Sequence, residues 1–349
     1  MISFISSRNS ITLGTKSPER RETVAIKAEL PGRYGHTAEQ LAFIREMGIH
    51  YLNLNVMPDQ ANYDDMMRET ERLAKYEITI SDFACPPLQK NKDIILGTDD
   101  RDREIGKFND FIRLAAAIGA PIVSVAWQPN GILRSGRTAG THTRGGTAFV
   151  ADLDEILSRP ILNDREYSSE EIWENFRYFL QETLPVAQEY GVCMALHPND
   201  PPVACLGGVA SLIASTQDYQ RALQMAKGSH SLGVKMCVGC WLENPAFGDL
   251  LEDIERFASS GHLVEVHFRN VSSPLPVFEE VLSEDGYADM YRIMKQFIRC
   301  GFDGYISVDH GFAGYPSMGG ELASMAYATG HMKGLLHAAQ QELLSVHRK

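Results

Sequence analysis

The stretch "SSEEIWENFRYFLQETLPVAQEYGVCMALHP", residues 168–198, joins a long amphipathic segment to a short apolar run that ends in a histidine. Ser168 or Ser169 has the chemistry of a helix N-cap, and Gly191 suits a helix end because glycine adopts the left-handed conformation common there. The run "VCMALHP", residues 192–198, has the length and composition of a buried strand. The stretch therefore predicts one helix-to-strand step of an α/β fold.

The same pattern recurs along the chain. Short apolar, β-branched runs occupy residues 24–30, 50–56, 77–85, 121–127, 192–198, 232–239, 263–270 and 304–311. Amphipathic stretches separate them, such as "TAEQLAFIREMG", which begins at Thr37 and stops at Gly48. Eight β-then-α units in 349 residues predict an α/β fold of the (β/α)8, or TIM-barrel, type. We expect a single barrel domain over residues 23–349, after an irregular N-terminal extension over residues 1–22.

A long loop insertion is expected after strand 4, over residues 128–170. It contains the basic, glycine-rich segment "RSGRTAGTHTRGG", residues 134–146. This segment is either an ordinary solvated loop or a lid over the top of the barrel. As a lid it would carry one or more cationic side chains to an anionic substrate, the candidates being Arg134, Arg137, His142 and Arg144.

Composition narrows the class of partner. The formal net charge of −12 argues against nucleic acid and anionic membranes, both of which need a basic surface. No run of 18 apolar residues and no signal-peptide pattern is present, so we expect a cytoplasmic protein. Its six cysteines are expected to be reduced thiols. Barrels of this kind often pair through their helices, which makes a homodimer possible.

Four consecutive runs, the fifth to the eighth, end in residues that bind metals. The active site of such a barrel lies at the C-terminal ends of the strands, where neighbouring strands bring these side chains together. Two imidazoles, a thiolate and a carboxylate predict a divalent transition-metal site that would accept Zn²⁺, Co²⁺, Fe²⁺ or Mn²⁺. The residues are His197, Cys237, His267 and Asp309. "CVGC" also offers Cys240 as the thiolate, but Cys237 is preferred because it lies at the strand end.

Five segments resemble the mannonate dehydratase family, hexuronate-pathway enzymes of the xylose isomerase-like barrel superfamily. They are "ENFRYFLQETLPVAQEYGVCMALHPNDPP", "GVKMCVG", "EVHFRNV", "DGYADMY" and "VDHG", against HPDDPP, CxGS, HxRN, GDVDMY and DHG in the family. The resemblance is dense over residues 174–311. It implies a lyase that dehydrates D-mannonate or a related aldonate, a small sugar acid, to a 2-keto-3-deoxy acid. It also implies that the same four residues hold Mn²⁺ or Fe²⁺.

The resemblance assigns roles around the metal. Removing a weakly acidic proton α to a carboxylate requires a cation on the developing negative charge, and a base and an acid besides. His310 matches the acid/base histidine of the family. Arg269 and Asn270, in "HFRN", are the expected clamps for substrate carboxylate or hydroxyl groups. Asp200, with Asn199, is expected to orient the metal-bound imidazole or to hold substrate.

Other segments depart from the family pattern. After "DHG" the family carries a PGYGLYDRALG-like segment with a tyrosine thought to act in acid/base work, but this chain reads "FAGYPSMGGELASMAYATGHMKGL". "FEEVLSEDGYAD" lacks the family's histidines, and "NLNVMPD" replaces its LHHIPxG. The metal-binding residues are thus kept while the substrate-binding residues differ. A metal-dependent sugar isomerase or epimerase of the same superfamily, or a non-catalytic relative that keeps the metal, remains an alternative.

Overall fold

A computed structural model describes residues 26–139, 145–309 and 320–346. Its strands are β1 (Lys27–Arg33), β2 (Tyr51–Asn55), β3 (Thr79–Ala84), β4 (Ile122–Ala126), β5 (Gly136–Ala139), β6 (Thr147–Asp152), β7 (Cys193–His197), β8 (Cys205–Leu206), β9 (Val209–Ala210), β10 (Leu232–Cys237), β11 (Leu263–His267), β12 (Asn270–Val271), β13 (Val277–Val281) and β14 (Tyr305–Ser307). Eight of them close a parallel barrel in the order β1-β2-β3-β4-β7-β10-β11-β14, which confirms the expected (β/α)8 fold. Each predicted run supplies one barrel strand. The expected extension over residues 1–22 lies outside the described residues.

Helices surround the barrel. They are α1 (Ala38–Glu46), α2 (Tyr63–Ala74), α3 (Pro86–Gln89), α4 (Lys92–Leu96), α5 (Arg101–Ala117), α6 (Leu153–Ser158), α7 (Ser169–Tyr190), α8 (Thr216–Met225), α9 (Val238–Glu243), α10 (Leu250–Ser259), α11 (Met290–Arg299) and α12 (Gly320–Val346). Thr37 caps α1 and Ser168 caps α7, each through a reciprocal capping box. Gly191 ends α7 at φ 67°, as its sequence pattern predicts.

The register of the barrel strands determines where their C-terminal ends lie relative to one another. On neighbouring parallel strands, Ala126 pairs with His197, Cys237 pairs with His267, and His267 pairs with Ser307. The C-terminal ends of β4, β7, β10, β11 and β14 therefore lie close to one level. Side chains that end these strands share one rim of the barrel.

The insertion after strand 4 differs from the expected loop. β5 and β6 form an antiparallel hairpin, β6 pairs with β13, and β13 pairs with β12. The result is a four-stranded antiparallel sheet built from the segments that follow β4 and β11. Its hydrogen bonds join residues far apart in the sequence, which local patterns in either segment do not reveal. The sheet follows the C-terminal ends of two barrel strands and so belongs to the predicted active-site side.

Two expectations from composition concern the state of the cysteines and membrane-spanning helices. All six cysteines lie in the described ranges and all are free thiols. Among the described helices, none combines the length and the apolar character that a membrane span needs.

Candidate active site

Three of the four predicted metal ligands converge at one rim of the barrel. His197 ends β7, Cys237 ends β10 and His267 ends β11, on three adjacent strands. Their ligand atoms all lie within 4.8 Å of one another. Two imidazole nitrogens and a sulfur at this separation suit a divalent transition metal.

The main chain fixes the orientation of one imidazole. Nδ1 of His197 lies 2.7 Å from the carbonyl oxygen of Pro198. A carbonyl oxygen only accepts, so Nδ1 carries a proton and Nε2 is the nitrogen left to bind a metal. The carbonyl of Pro198 thus fixes the orientation of the His197 ring.

Asp309 lies beside His267, two residues beyond the end of β14. Its φ of 68° turns the chain, and its Oδ1 lies 3.0 Å from Nδ1 of His267. Its Oδ2 accepts a hydrogen bond of 3.0 Å from Nε of Arg269. The carboxylate therefore adjoins the three converging ligands, in contact with one of them.

The surroundings of Cys237 favour its thiolate. Burial by itself would raise the pKa of Cys237, but a hydrogen bond from Cys240, the charge of Arg269 and hydrogen bonds with both histidines hold that pKa well below its usual value. Burial and the same hydrogen bond raise the pKa of Cys240. The structure therefore favours Cys237 over Cys240 as the metal-binding thiolate.

Arg269 lies in a buried ion network. It does not line the polar cavity of about 160 Å³ that opens at this rim of the barrel. Its NH2 group bonds Asp200 at 3.0 Å and Glu243 at 2.6 Å, while its Nε holds Asp309. Arg134 adds bonds of 2.7 Å to Asp200 and 2.8 Å to Glu280. Two arginines thus pair with four acidic side chains, Asp200, Glu243, Glu280 and Asp309. Arg269 therefore holds Asp309, and its expected role as a direct substrate clamp stays a prediction.

Asp200 and Asn270, two other predicted site residues, are also held by neighbouring groups. Asp200 lines the cavity, but its carboxylate pairs with Arg134 and Arg269, and the His197 imidazole is held by a carbonyl instead. The amide of Asn270 is buried, donates to the carbonyls of Ser283 and Ala288, and does not line the cavity. Asn270 therefore holds the loop after β11 in place.

Asn199, the neighbour of Asp200, has a similar bracing role. Its side chain donates to the carbonyl of Trp127 and accepts from the main-chain N–H of Ile213. The corner that follows His197 is thus tied to the loop after β4, and Asn199 does not contact the imidazole of His197 through these bonds.

The candidate lid residues separate into three groups. Arg134 is buried in the ion network, with 6% of its side chain exposed. Arg137 is exposed on the hairpin, and its guanidinium lies over the ring of Phe149. His142 and Arg144 lie outside the described residues, as do His310 and Tyr315. The segment that replaces the family's tyrosine segment also contains Tyr327, which is 48% exposed and bonds Glu284 through its hydroxyl group.

A polar cavity of about 160 Å³ opens at this rim. Its lining combines predicted ligands with amides and lysines that the motifs did not single out: Asn53, Asn55, Gln89, Lys90, Ser124, Gln128, His197, Asp200, Lys235, His267 and Asp309, beside five apolar residues. A larger groove of about 550 Å³, between α2 and α5 on the outside of the barrel, contains none of the predicted site residues. The smaller cavity is the candidate active site.

A charged layer forms the floor of this cavity. Nζ of Lys235 lies 2.8 Å from Asp82 and 2.7 Å from Glu265, and Nδ2 of Asn53 donates to both carboxylates. Burial and the charge of Glu265 raise the pKa of Asp82 to about 6, although Lys235 opposes the shift. Barrel interiors are dominated by apolar side chains, so this buried layer is a specialised feature. Sequence reasoning missed it.

The comparisons with known proteins agree with this geometry. A family model described as D-mannonate dehydratase (UxuA) matches residues 149–344, which is more than half of the chain. The chain belongs to the mannonate dehydratase family. It is accordingly a lyase, and the departures noted in the sequence are variations within this family.

Individual mannonate dehydratases match over most of the barrel. A curated mannonate dehydratase of Streptococcus suis (strain 05ZYH33) is 30% identical over 247 residues, 63% of this chain and 67% of the relative. The crystal structure of mannonate dehydratase from Streptococcus suis serotype 2 superposes with a TM-score of 0.80 at 22% identity, covering 91% of this chain and 96% of that one. L-ribulose 3-epimerase shares the fold, with a TM-score of 0.60 at 13% identity over 92% and 98% of the two chains.

Proposed function

We propose that this protein is a metal-dependent dehydratase that converts D-mannonate or a related aldonate into a 2-keto-3-deoxy acid and water. The convergence of His197, Cys237 and His267 within 4.8 Å carries the proposal, in a member of a dehydratase family. Asp309 and a polar cavity of about 160 Å³ adjoin these ligands.

His197, Cys237, His267 and Asp309 would hold the metal. The Nε2 of His197, whose Nδ1 is held by the Pro198 carbonyl, and the depressed pKa of the Cys237 thiol fit the group, because a metal-binding cysteine must be deprotonated. The family resemblance favours Mn²⁺ or Fe²⁺, and the same donors would accept Zn²⁺ or Co²⁺. A bound divalent ion supplies Lewis-acid stabilisation of the charge that develops on the substrate carboxylate.

Side chains of the protein would carry out the proton transfers of the reaction. A base removes the proton at C2, and an acid protonates the hydroxyl at C3, which leaves as water. The resulting enol becomes the 2-keto acid as C3 gains a proton. His310, next to Asp309 in the sequence, is proposed for the acid/base work. Arg269 holds Asp309 through its Nε, so the carboxylate keeps one orientation during turnover.

Replacing His310 with asparagine tests the acid/base role. We expect His310→Asn to keep its metal and to lose roughly 10²-fold or more in kcat, because asparagine cannot exchange a proton near neutral pH. His337→Asn, on the exposed face of α12, is the matched control and should turn over normally. Normal turnover by His310→Asn would move the acid/base role elsewhere, the insertion over residues 128–170 being the next region to test.

The proposed reaction is tested with a panel of aldonates. Protein reconstituted with Mn²⁺ is incubated with D-mannonate and its stereoisomers, and 2-keto-3-deoxy acid is measured against matching neutral alditols. We expect product from at least one aldonate and from no alditol. Isomerised or epimerised sugars, with no keto-deoxy acid from any aldonate, would favour the isomerase or epimerase alternative.

A further inference from the structure

The cavity is lined by two lysines within the described ranges, and one of them has no capacity left for substrate. Nζ of Lys235 donates to Asp82 at 2.8 Å, to Ser124 at 2.9 Å and to Glu265 at 2.7 Å. An ammonium group has three N–H donors, and these contacts use all three. Lys235 is therefore a part of the floor and does not bind an anion.

The two arginines nearest the site are occupied as well. Arg134 and Arg269 are both buried and bond carboxylates of the ion network, namely Asp200, Glu243, Glu280 and Asp309. Neither arginine lines the cavity. The network already contains more carboxylates than guanidinium groups, so an incoming carboxylate finds no free positive charge there.

Lys90 differs from these three cations. It follows α3 in the loop after β3, on the half of the barrel opposite to the metal-binding strands. Its side chain lines the cavity, and within residues 26–139, 145–309 and 320–346 its ammonium group makes no hydrogen bond or ion pair. Burial lowers the pKa of Lys90, while the charges of Asp200 and Asp309 oppose that shift and place the ammonium within electrostatic reach of the metal-binding rim.

The residue before Lys90 supports the same interpretation. Gln89 also lines the cavity, and its buried Oε1 accepts no hydrogen bond from the described part of the chain. A desolvated cation and an unsatisfied acceptor, side by side, are costly unless a ligand completes them. A sugar acid offers both partners, a carboxylate for the ammonium and hydroxyl groups for the amide oxygen.

We propose that Lys90 is the cation that binds the substrate carboxylate, with Gln89 accepting a hydrogen bond from a substrate hydroxyl. This inference rests on the proposed function, and it gives to Lys90 the clamp role that the sequence motif suggested for Arg269 and Asn270. Because the ion pair forms in a confined, partly desolvated cavity, it selects aldonates over the corresponding neutral sugar alcohols.

Calorimetric binding to Mn²⁺-reconstituted protein tests this role, with D-mannonate and D-mannitol as probes. The two share a carbon chain, but mannitol has a hydroxymethyl group in place of the carboxylate. We expect Lys90→Met to weaken D-mannonate binding about 10²-fold and to leave mannitol binding unchanged, since the truncation removes one partner of a confined charge pair. Lys90→Arg keeps the charge and should retain D-mannonate binding within about 10-fold.

A nearby lysine provides the matched control. Lys92→Met removes an ammonium two residues away that contacts Asn163 at 3.3 Å on the surface, and it should bind both probes as the wild type does. The metal content of all three variants should equal that of the wild type. KM for any aldonate that is turned over should rise in Lys90→Met more than kcat falls.

The outcomes separate the two proposals. If the wild type dehydrates an aldonate and Lys90→Met binds it equally well, the role of Lys90 is wrong and the dehydratase function stands. If D-mannonate binding depends on Lys90 but no dehydration occurs, the binding role stands and the proposed reaction is wrong. If the wild type binds D-mannonate no better than mannitol, the role of Lys90 is wrong, and if it also dehydrates no aldonate of the panel, both proposals are overturned.

Discussion

Replacing Cys237 with serine, or His267 with alanine, is expected to abolish stoichiometric metal binding. Each change removes one of three donors whose ligand atoms lie within 4.8 Å of one another. Serine also lacks an easily formed anion, whereas the surroundings of Cys237 hold the pKa of its thiol well below the usual value. Removing a residue that only hydrogen-bonds a metal ligand already costs about 10–100-fold in metal affinity or activity. Removing a ligand itself should therefore lower turnover by more than about 100-fold.

Metal analysis after dialysis measures this effect. Wild type, Cys237→Ser and His267→Ala are loaded with Mn²⁺, dialysed and analysed for metal per chain, with circular dichroism as a check on folding. Cys300→Ser is the matched control, since this free thiol lies at the end of α11 and outside the cavity. Retention of one metal ion per chain by both variants would contradict the assigned ligands.

Replacing Lys235 with methionine is expected to destabilise the protein by about 3–5 kcal/mol, because it leaves two buried carboxylates without their counter-ion. Lys235, Asp82 and Glu265 are all nearly inaccessible to solvent. Their charges cannot be replaced by hydration without opening the barrel. The loss should accordingly appear in the free energy of global unfolding.

Urea unfolding of the two proteins measures the difference. Lys295→Met is the matched control, since Lys295 pairs with Glu342 at 3.2 Å on the surface, where such pairs contribute about 0–1 kcal/mol. Failure of Lys235→Met to fold would agree with the prediction. A loss below about 1 kcal/mol would mean that Lys235 does not neutralise the floor of the cavity.

The barrel and the ends of its strands were predictable from sequence because both depend on local patterns. Apolar runs and helix caps recur along the chain, and the parallel barrel then forces the ends of neighbouring strands together. His197, Cys237 and His267 end their strands as expected. The sequence also favoured Cys237 over Cys240, and the hydrogen bond between the two thiols agrees with that preference.

The residues around these ligands were harder to assign because their roles depend on distant partners. Arg269 is a plausible clamp in isolation, but the fold surrounds it with Asp200, Glu243 and Asp309 from three other segments. The antiparallel sheet similarly joins β6 to β13, more than a hundred residues later in the chain. No local pattern encodes either arrangement.

The charged floor of the cavity, which the sequence analysis missed, has a recognisable sequence pattern. Lys235 precedes Cys237 by two residues and Glu265 precedes His267 by two residues. Alternate side chains of a strand share a face, so each charged residue must point into the barrel below a metal ligand. A charged residue that lies two positions before a metal ligand, in an otherwise apolar strand, thus predicts the charged floor of the site.

Dehydration in deuterated water, followed by proton NMR, tests the central claim most directly. Metal-loaded protein is incubated with the aldonate that gives the largest response in the panel. The proposed reaction removes the proton at C2, releases the C3 hydroxyl as water and returns one solvent proton to C3. It therefore predicts a 2-keto-3-deoxy acid with a single deuterium at C3. Deuterium at C2 of an aldonate or its epimer, with the C3 hydroxyl retained, would contradict the dehydratase function.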